Sequence, residues 1–198
     1  VPLSLFNVKK NDKFAVLEAG MDKAGEIDNL TKIIKPNFGI ITNISYAHIK
    51  NFKNLDGIAR AKSEIINNIV EGGKIILNQD DEYFYFLKKI ALKKNIHVIS
   101  FSKKNISSDI FVKKITTNKT NYKIFINIKN LTKSFLIKKN LYPYLYNILA
   151  SIAVISEFYD LKNISEKLFY NFKLPFSRGD ITKVRLKNKV IYLTDESY

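Results

Sequence analysis

The chain contains no cysteine and no tryptophan, and it has a single methionine. Without cysteine it can have no disulfide framework, no thiolate nucleophile and no cysteine-based zinc site. No apolar run approaches the length that spans a bilayer, and the first residues do not resemble a signal peptide. These absences favour a protein of the reducing cytoplasm that does not insert into membranes.

Arginine is scarce, because only three of the 33 basic residues are arginines although the net charge is +15. Proteins that read nucleic acid favour arginine for bidentate contacts, and the lysines here are scattered among asparagine and isoleucine. We interpret the charge as a compositional bias and expect no nucleic-acid partner. A basic nucleic-acid-binding domain is the least favoured alternative, and it would bind with a steep dependence on salt.

The first half of the sequence alternates between apolar runs and segments with helical spacing of apolar residues. The predicted strands are 14–17, 38–44, 74–77 and 97–101, and the predicted helices are 26–35, 55–70 and 82–94. A hydrophobic content of 46% over 198 residues is enough for one full core. This alternation is typical of an α/β fold with a mainly parallel, doubly wound sheet that is covered on both faces.

The second half changes to short β-branched and aromatic segments with polar links, which predict a small antiparallel β-meander at about 109–138. Helical spacing then returns. The predicted elements that follow are helices at 145–159 and 164–172 and a hairpin of strands 181–186 and 190–194.

Lys62 occupies an unusual position, because it falls on the apolar stripe of its predicted helix, seven residues after Leu55 and seven before Ile69. One interpretation is that its stem runs along the apolar surface and its ammonium group reaches water. The other is chemical. Burial lowers the pKa of a lysine, and the resulting neutral amine can add carbon dioxide to form a carbamate with two oxygens suited to Mg²⁺.

Three other positions carry chemistry but are weak signals when taken singly. Glu18 ends a predicted strand, and its carboxylate is either exposed at the end of that strand or a ligand for a cation. His48 follows the next strand and is either a loop histidine bonded to backbone or a ligand for metal or phosphate. Asp80 and Asp81 follow a third strand, where a polar turn explains them equally well. His97 opens a strand, and we give it a structural role.

Four linked motifs contain these residues in a fixed order. They are Glu18, Gly20 and Gly25-Glu26-Ile27; Thr42-Asn43-Ile44 and Ala47-His48; Ile58-Ala59, Ala61-Lys62 and Glu64-Ile65; and Leu77-Asn78 with Asp80-Asp81. Their order and spacing resemble those of the central, P-loop NTPase-like ATPase domain of the Mur ligases of peptidoglycan synthesis. The Gly25-Glu26-Ile27 element resembles the member that adds D-alanyl-D-alanine.

The resemblance implies a cytoplasmic ligase of cell wall biogenesis that acts in cell shape and cell division. ATP would phosphorylate the carboxylate of UDP-N-acetylmuramoyl-tripeptide. The amine of D-alanyl-D-alanine would then displace phosphate from the acyl-phosphate and form an amide. The related folate-polyglutamate ligases are a sibling alternative that the amino-acid acceptor would distinguish.

The resemblance also implies roles for single residues. Glu18 would hold one Mg²⁺, and His48 and a carbamylated Lys62 would serve a second. Lys62, His48 and Arg178 would serve the reaction. The residues implied for nucleotide binding are Asn147 at adenine, with Asn78, Asp81 and Glu196.

The sequence departs from the family pattern in places. It contains no G-x-x-G-K-[ST] phosphate loop, and the motif G-x-H-N-x-x-N reads 141–147 here, with Pro143 and Tyr144 at the histidine and first asparagine. Ser177 replaces the glycine before Arg178, and Glu196 replaces an aspartate. We therefore expect a fragment that is inactive alone, with a central domain at 1–194 and the start of a linker at 195–198. The alternative is a degenerate, non-catalytic domain.

Overall fold

Helices and strands alternate from residue 26 to residue 102 in a computed structural model that describes residues 2–46, 51–173, 180–186 and 189–195. The helices are α1 (Pro2–Phe6), α2 (Glu26–Ile34), α3 (Leu55–Ser63), α4 (Phe84–Lys93) and α5 (Leu145–Phe158). The strands are β1 (Phe38–Ile41), β2 (Lys74–Asn78), β3 (His97–Ser102), β4 (Ile110–Thr117), β5 (Asn121–Ile128), β6 (Leu131–Lys138), β7 (Asp180–Leu186) and β8 (Lys189–Asp195). None of the described helices is long and apolar enough to cross a membrane.

Six of the strands form one mixed sheet in the order β1-β2-β3-β4-β5-β6, and β7 pairs with β8 in a separate hairpin. Strands β1 to β4 run parallel, whereas β4, β5 and β6 are antiparallel neighbours. Strand β4 meets only the end of β3, at Phe101 and Ser102, and then continues beyond it. The predicted α/β sheet with an antiparallel meander is confirmed.

The two faces of the sheet belong to different parts of the core. Successive side chains of a strand point to opposite faces. On β2, Ile76 packs in a cluster with residues of α5, whereas Ile75 and Leu77 pack in a cluster with residues of α3 and α4. All three side chains are fully buried. The sheet is therefore covered on both faces, as predicted.

The predicted strand at 14–17 is wrong. These residues form no strand in the structure, and Val16 is 94% exposed. Phe14 packs edge-on against Phe158, with 4.8 Å between ring centroids, but remains half exposed. A strand needs a neighbour for its backbone N–H and C=O groups, and among the described strands β1 pairs only with β2. Apolar composition alone was not sufficient, and Glu18 does not end a buried strand.

The predicted helix at 164–172 is also wrong, because the structure has turns there. Contacts with strand β6 hold residues 164–172 in place. The backbone N–H of Leu136 on β6 donates to the carbonyl of Glu166 at 2.8 Å, and Phe169 packs on Phe135 with 5.8 Å between ring centroids. Helices this short are marginal unless packing favours them, and here the edge of β6 competes for the backbone.

Helix α3, which carries Lys62, begins where Asn54 caps it. The side-chain Oδ1 of Asn54 accepts a hydrogen bond from the backbone N–H of Gly57 at 3.0 Å. The helix ends at Ser63 and continues as a 3-10 turn over Glu64–Asn68, so the predicted helix at 55–70 is two elements. The cap therefore sets the start of the element that positions Lys62.

Substituting Asn54→Ala should lower the free energy of unfolding by about 1 kcal/mol, because one N–H at the helix start loses its acceptor. Urea denaturation measures this change. Asn29→Ala is the matched control. Asn29 is exposed in α2 and makes no side-chain hydrogen bond with the described residues, so its replacement should not destabilise. Equal losses in both variants would contradict the capping role.

Candidate functional site

Three loops meet at one edge of the sheet. Strands β1, β2 and β3 are parallel, so the residues that follow or end them lie side by side. We call this the carboxyl edge, formed by residues 42–44, 78–81 and 102–103. Open α/β sheets usually bind ligands at this edge. Two of the sequence motifs, Thr42-Asn43-Ile44 and Leu77-Asn78 with Asp80-Asp81, therefore come together.

Two side chains fasten the loop after β1 to the end of β2. The amide Nδ2 of Asn78 donates to the carbonyl of Thr42 at 3.0 Å. The carboxylate of Asp81 accepts from the backbone N–H of Ile44 at 2.7 Å and, through its other oxygen, from that of Tyr83 at 2.9 Å. Asn78 and Asp81 thus hold backbone directly. Any contribution they make to nucleotide binding would pass through the loop they hold.

Lys62 extends from α3 to the same edge. Its Nζ donates to the carbonyl of Asn43 at 2.8 Å. Burial lowers the pKa of Lys62, and the nearby Asp81 carboxylate opposes this shift in part. The side chain is half-buried, and its ammonium group reaches backbone at the carboxyl edge. A lowered pKa favours the neutral amine that carbamate formation requires.

The predicted metal ligands are only partly within the described residues. The carboxylate of Glu18 is exposed, and among the described residues it has no hydrogen-bond or ion-pair partner, so its oxygens are available to a hard cation. His48, Arg178 and Glu196 lie outside the described residues. No group of three or more His, Asp or Glu side chains able to hold a metal occurs in the part of the chain that is described.

Asn147 lies in the first turn of α5 with an exposed side chain. Its backbone carbonyl accepts from Ser151 Oγ at 2.9 Å. Its side-chain amide makes no hydrogen bond to any residue that the structure describes. The amide is therefore available to a ligand.

Glu64 has a role that sequence reasoning missed. Its carboxylate accepts from the backbone N–H groups of Gly25 at 2.7 Å and Asp28 at 3.1 Å. Gly25 has a φ of 89°, a left-handed conformation that favours glycine. The first and third motifs are therefore joined at the start of α2. The only sequence signal was the place of Glu64 in the third motif, two residues after Lys62.

Asp80 is a second residue whose role the sequence did not indicate. One carboxylate oxygen accepts from Ser102 Oγ at 2.5 Å. The other accepts from the backbone N–H of Lys103 at 2.7 Å and from the hydroxyl of Tyr146 at 3.1 Å. Burial and the Asp80 carboxylate raise the pKa of Tyr146 to about 12, so its hydroxyl stays a donor. Asp80 links the ends of β2 and β3 to α5.

Curated relatives resemble this chain over about half of its length. A UDP-N-acetylmuramoyl-tripeptide–D-alanyl-D-alanine ligase from Borreliella burgdorferi is 40% identical over 113 residues, covering 56% of this chain and 24% of the relative. A ligase of the same name from Buchnera aphidicola subsp. Baizongia pistaciae is 43% identical over 106 residues, covering 53% of this chain and 23% of the relative. The matches thus span about a quarter of the length of these relatives.

A solved structure resembles the whole fold. MurF from Acinetobacter baumannii superposes with a TM-score of 0.84 and 25% sequence identity, covering 100% of this chain and 42% of that one. Residues 1–155 match the Mur ligase middle domain family. The chain therefore belongs to the Mur ligase middle domain family.

Proposed function

We propose that this chain is the ATP-binding middle domain of a ligase that joins D-alanyl-D-alanine to UDP-N-acetylmuramoyl-tripeptide in the cytoplasm. The observation that carries the proposal is the contact between Lys62 Nζ and the carbonyl of Asn43 at 2.8 Å. It brings the lysine of one family motif to the asparagine of another at the edge where α/β sheets bind ligands. The names of the curated relatives supply the substrates.

Lys62 would act as a carbamate. The neutral Nζ attacks the carbon of CO₂, a proton leaves to solvent, and a carbamate with one negative charge forms. The partly buried position favours this step, because burial lowers the pKa of the amine. Glu18 would hold one Mg²⁺, and the carbamate oxygens together with His48 would serve a second, since carboxylate-type oxygens are the ligands that Mg²⁺ prefers. Bound Mg²⁺ would neutralise charge on the phosphates during phosphoryl transfer.

The carboxyl edge and the start of α5 would supply other contacts to the nucleotide. Asn147 would donate to adenine with its free amide, and Arg178 would reach the terminal phosphate. Glu196 would approach the ribose. Asn78 and Asp81 would contribute by holding the loop after β1, since their side chains already bond its backbone.

The proposal is tested with the full-length gene product that carries these residues, supplied with ATP, Mg²⁺, UDP-N-acetylmuramoyl-tripeptide and D-alanyl-D-alanine. We expect phosphate release and a new amide product by mass spectrometry, each requiring all four components. Product with glutamate as acceptor would instead indicate a folate-polyglutamate-type ligase. A well-folded protein that binds neither ATP nor substrate would overturn the proposal and favour the degenerate domain, to which Pro143 and Tyr144 point.

A further inference from the structure

A three-donor centre fastens α5 to the carboxyl edge at a single carboxylate. Asp80 receives the hydroxyls of Ser102 and Tyr146 and the backbone N–H of Lys103. Ser102 is fully buried, and Tyr146 is half-buried. Hydrogen bonds to an ionised, partly buried carboxylate are stronger than those between neutral groups. The centre is therefore a rigid joint between three elements.

The ring of Tyr146 is fixed on its face as well as at its hydroxyl. The Nζ of Lys103 lies 3.9 Å from the ring centroid, which is a close cation–π contact. Within the described residues, Lys103 Nζ makes no hydrogen bond, but the Asp80 carboxylate attracts its charge and the Tyr142 ring centroid lies 5.9 Å away. The backbone and the side chain of Lys103 thus both contact the Asp80–Tyr146 pair. The pair leaves Tyr146 little freedom.

Tyr146 directly precedes Asn147 in the first turn of α5. That turn has no side-chain cap hydrogen bond, since Tyr144 stands at the N-cap position. The hydroxyl of Tyr146 ties this turn to Asp80. A shift of this turn would move the free amide of Asn147 relative to the ends of β2 and β3.

We propose that Asp80 and Tyr146 are positioning residues for the nucleotide: they hold the first turn of α5, and with it Asn147, against the carboxyl edge. This inference rests on the proposed function. Neither residue need touch the nucleotide. Their contribution is the geometry of the base contact, so their loss should weaken nucleotide binding and leave the chemical step alone.

Tyr146→Phe is the sharpest test, because it removes only the hydroxyl and keeps the ring beneath Lys103. In the full-length gene product we expect the KM for ATP to rise about tenfold, as for loss of a hydrogen bond to a charged group. The kcat and the KM values for both other substrates should not change. Asp80→Asn, which keeps acceptor oxygen, should give a smaller rise than Asp80→Ala.

Tyr83→Phe is the matched control. The hydroxyl of Tyr83 also donates to a carboxylate, that of Asp56, at 2.7 Å, but it does not anchor α5. Its loss should leave the KM for ATP unchanged. Amide hydrogen exchange gives a second readout that needs no turnover. The first turn of α5 should exchange faster in Tyr146→Phe and at the wild-type rate in Tyr83→Phe.

The outcomes separate the inference from the proposed function. If the wild type forms the amide but Tyr146→Phe changes neither the KM for ATP nor exchange in α5, the positioning role is wrong and the function stands. If both variants raise the KM equally, the effect is general destabilisation and the inference falls. If exchange in α5 rises in Tyr146→Phe while the wild type binds no ATP, the joint is real but serves no nucleotide, and both proposals fall.

Discussion

Lys62→Met should reduce amide formation by the full-length gene product about 10²–10³-fold, the loss typical when one group that stabilises transition-state charge is removed. Methionine keeps an unbranched apolar stem of similar length and removes only the amine. The carbonyl of Asn43 loses its donor, but Asn43 is exposed and water can replace the bond. We therefore expect an unchanged free energy of unfolding alongside the loss of activity, measured by urea denaturation and by phosphate release.

Lys93→Met is the control for removing a lysine from this basic chain. Lys93 is exposed in the last turn of α4, so its replacement should change neither activity nor stability. If Lys62→Met is as active as the wild type, Lys62 has no place in the reaction and the proposed site is wrong.

Lys62→Ala in the presence of a small carboxylic acid tests the carbamate separately. Acetate or formate can enter the space left by the side chain and supply two carboxylate oxygens where the carbamate would stand. We expect activity to return in part with added acid for Lys62→Ala but not for the bulkier Lys62→Arg. Loss of activity without any rescue would indicate that Lys62 acts as an amine or ammonium group.

The pattern of apolar residues correctly predicted two kinds of element. One kind packs against segments that are close in sequence, and the other kind has fully buried apolar side chains. The predicted strand at 74–77 and helix at 82–94 correspond to β2 and α4 within two residues at each end. Strand β2 buries a continuous apolar run in which Ile75, Ile76 and Leu77 are fully buried, whereas α4 buries apolar residues at helical spacing. Such patterns reflect the environment directly, because each side chain's position along the element fixes the face it occupies.

The errors occurred where structure depends on long-range partners. The run at 14–17 has the composition of a buried strand but no described strand pairs with it. The segment at 164–172 has helical spacing, yet its Glu166 carbonyl bonds to β6. Local propensity is a weak prior that tertiary contacts override.

The candidate site likewise has one part that the sequence predicted and one part that it did not. The apolar stripe identified Lys62 as unusual, but no pattern in the sequence indicated that Nζ would reach the carbonyl of Asn43. The sequence contained even less indication of the hydrogen bonds that meet at Asp80. Ser102 and Tyr146, the partners of Asp80, lie 22 and 66 residues away and belong to no common motif. Polar networks between distant segments leave no periodic signal, so only the fold reveals them.

Glu157→Gln should lower the free energy of unfolding by about 2 kcal/mol, within the range for hydrogen bonds to a charged group. The carboxylate of Glu157, on the last turn of α5, is only 6% exposed and accepts from Lys74 and Lys129. Lys74 begins β2, and Lys129 lies in the left-handed turn between β5 and β6. One carboxylate therefore joins the helix to the parallel sheet and to the meander. The lysines are 31% and 50% exposed, so water can solvate them in the variant and limits the loss.

Glu166→Gln is the matched control, since Glu166 also pairs with a lysine, Lys123, at 2.9 Å, but both side chains are 41% exposed. An exposed pair contributes at most about 1 kcal/mol, so this variant should unfold at nearly the wild-type urea concentration. Equal destabilisation by the two substitutions would show that burial of Glu157 adds nothing.

The effect of Glu157 should also depend on pH. Burial raises the pKa of this carboxyl, but hydrogen bonds from Lys129 and Lys74 outweigh burial and hold the pKa below its ordinary value of 4.5. The folded state therefore binds this proton less tightly than the unfolded state. The stabilisation is fully present above pH 4.5 and is lost as the pH falls through the lower, folded-state pKa. Urea denaturation of wild type and Glu157→Gln should show a constant difference at neutral pH that shrinks in acid. A difference that grows in acid would mean that folding raises this pKa, and the two lysines would then not be its dominant partners.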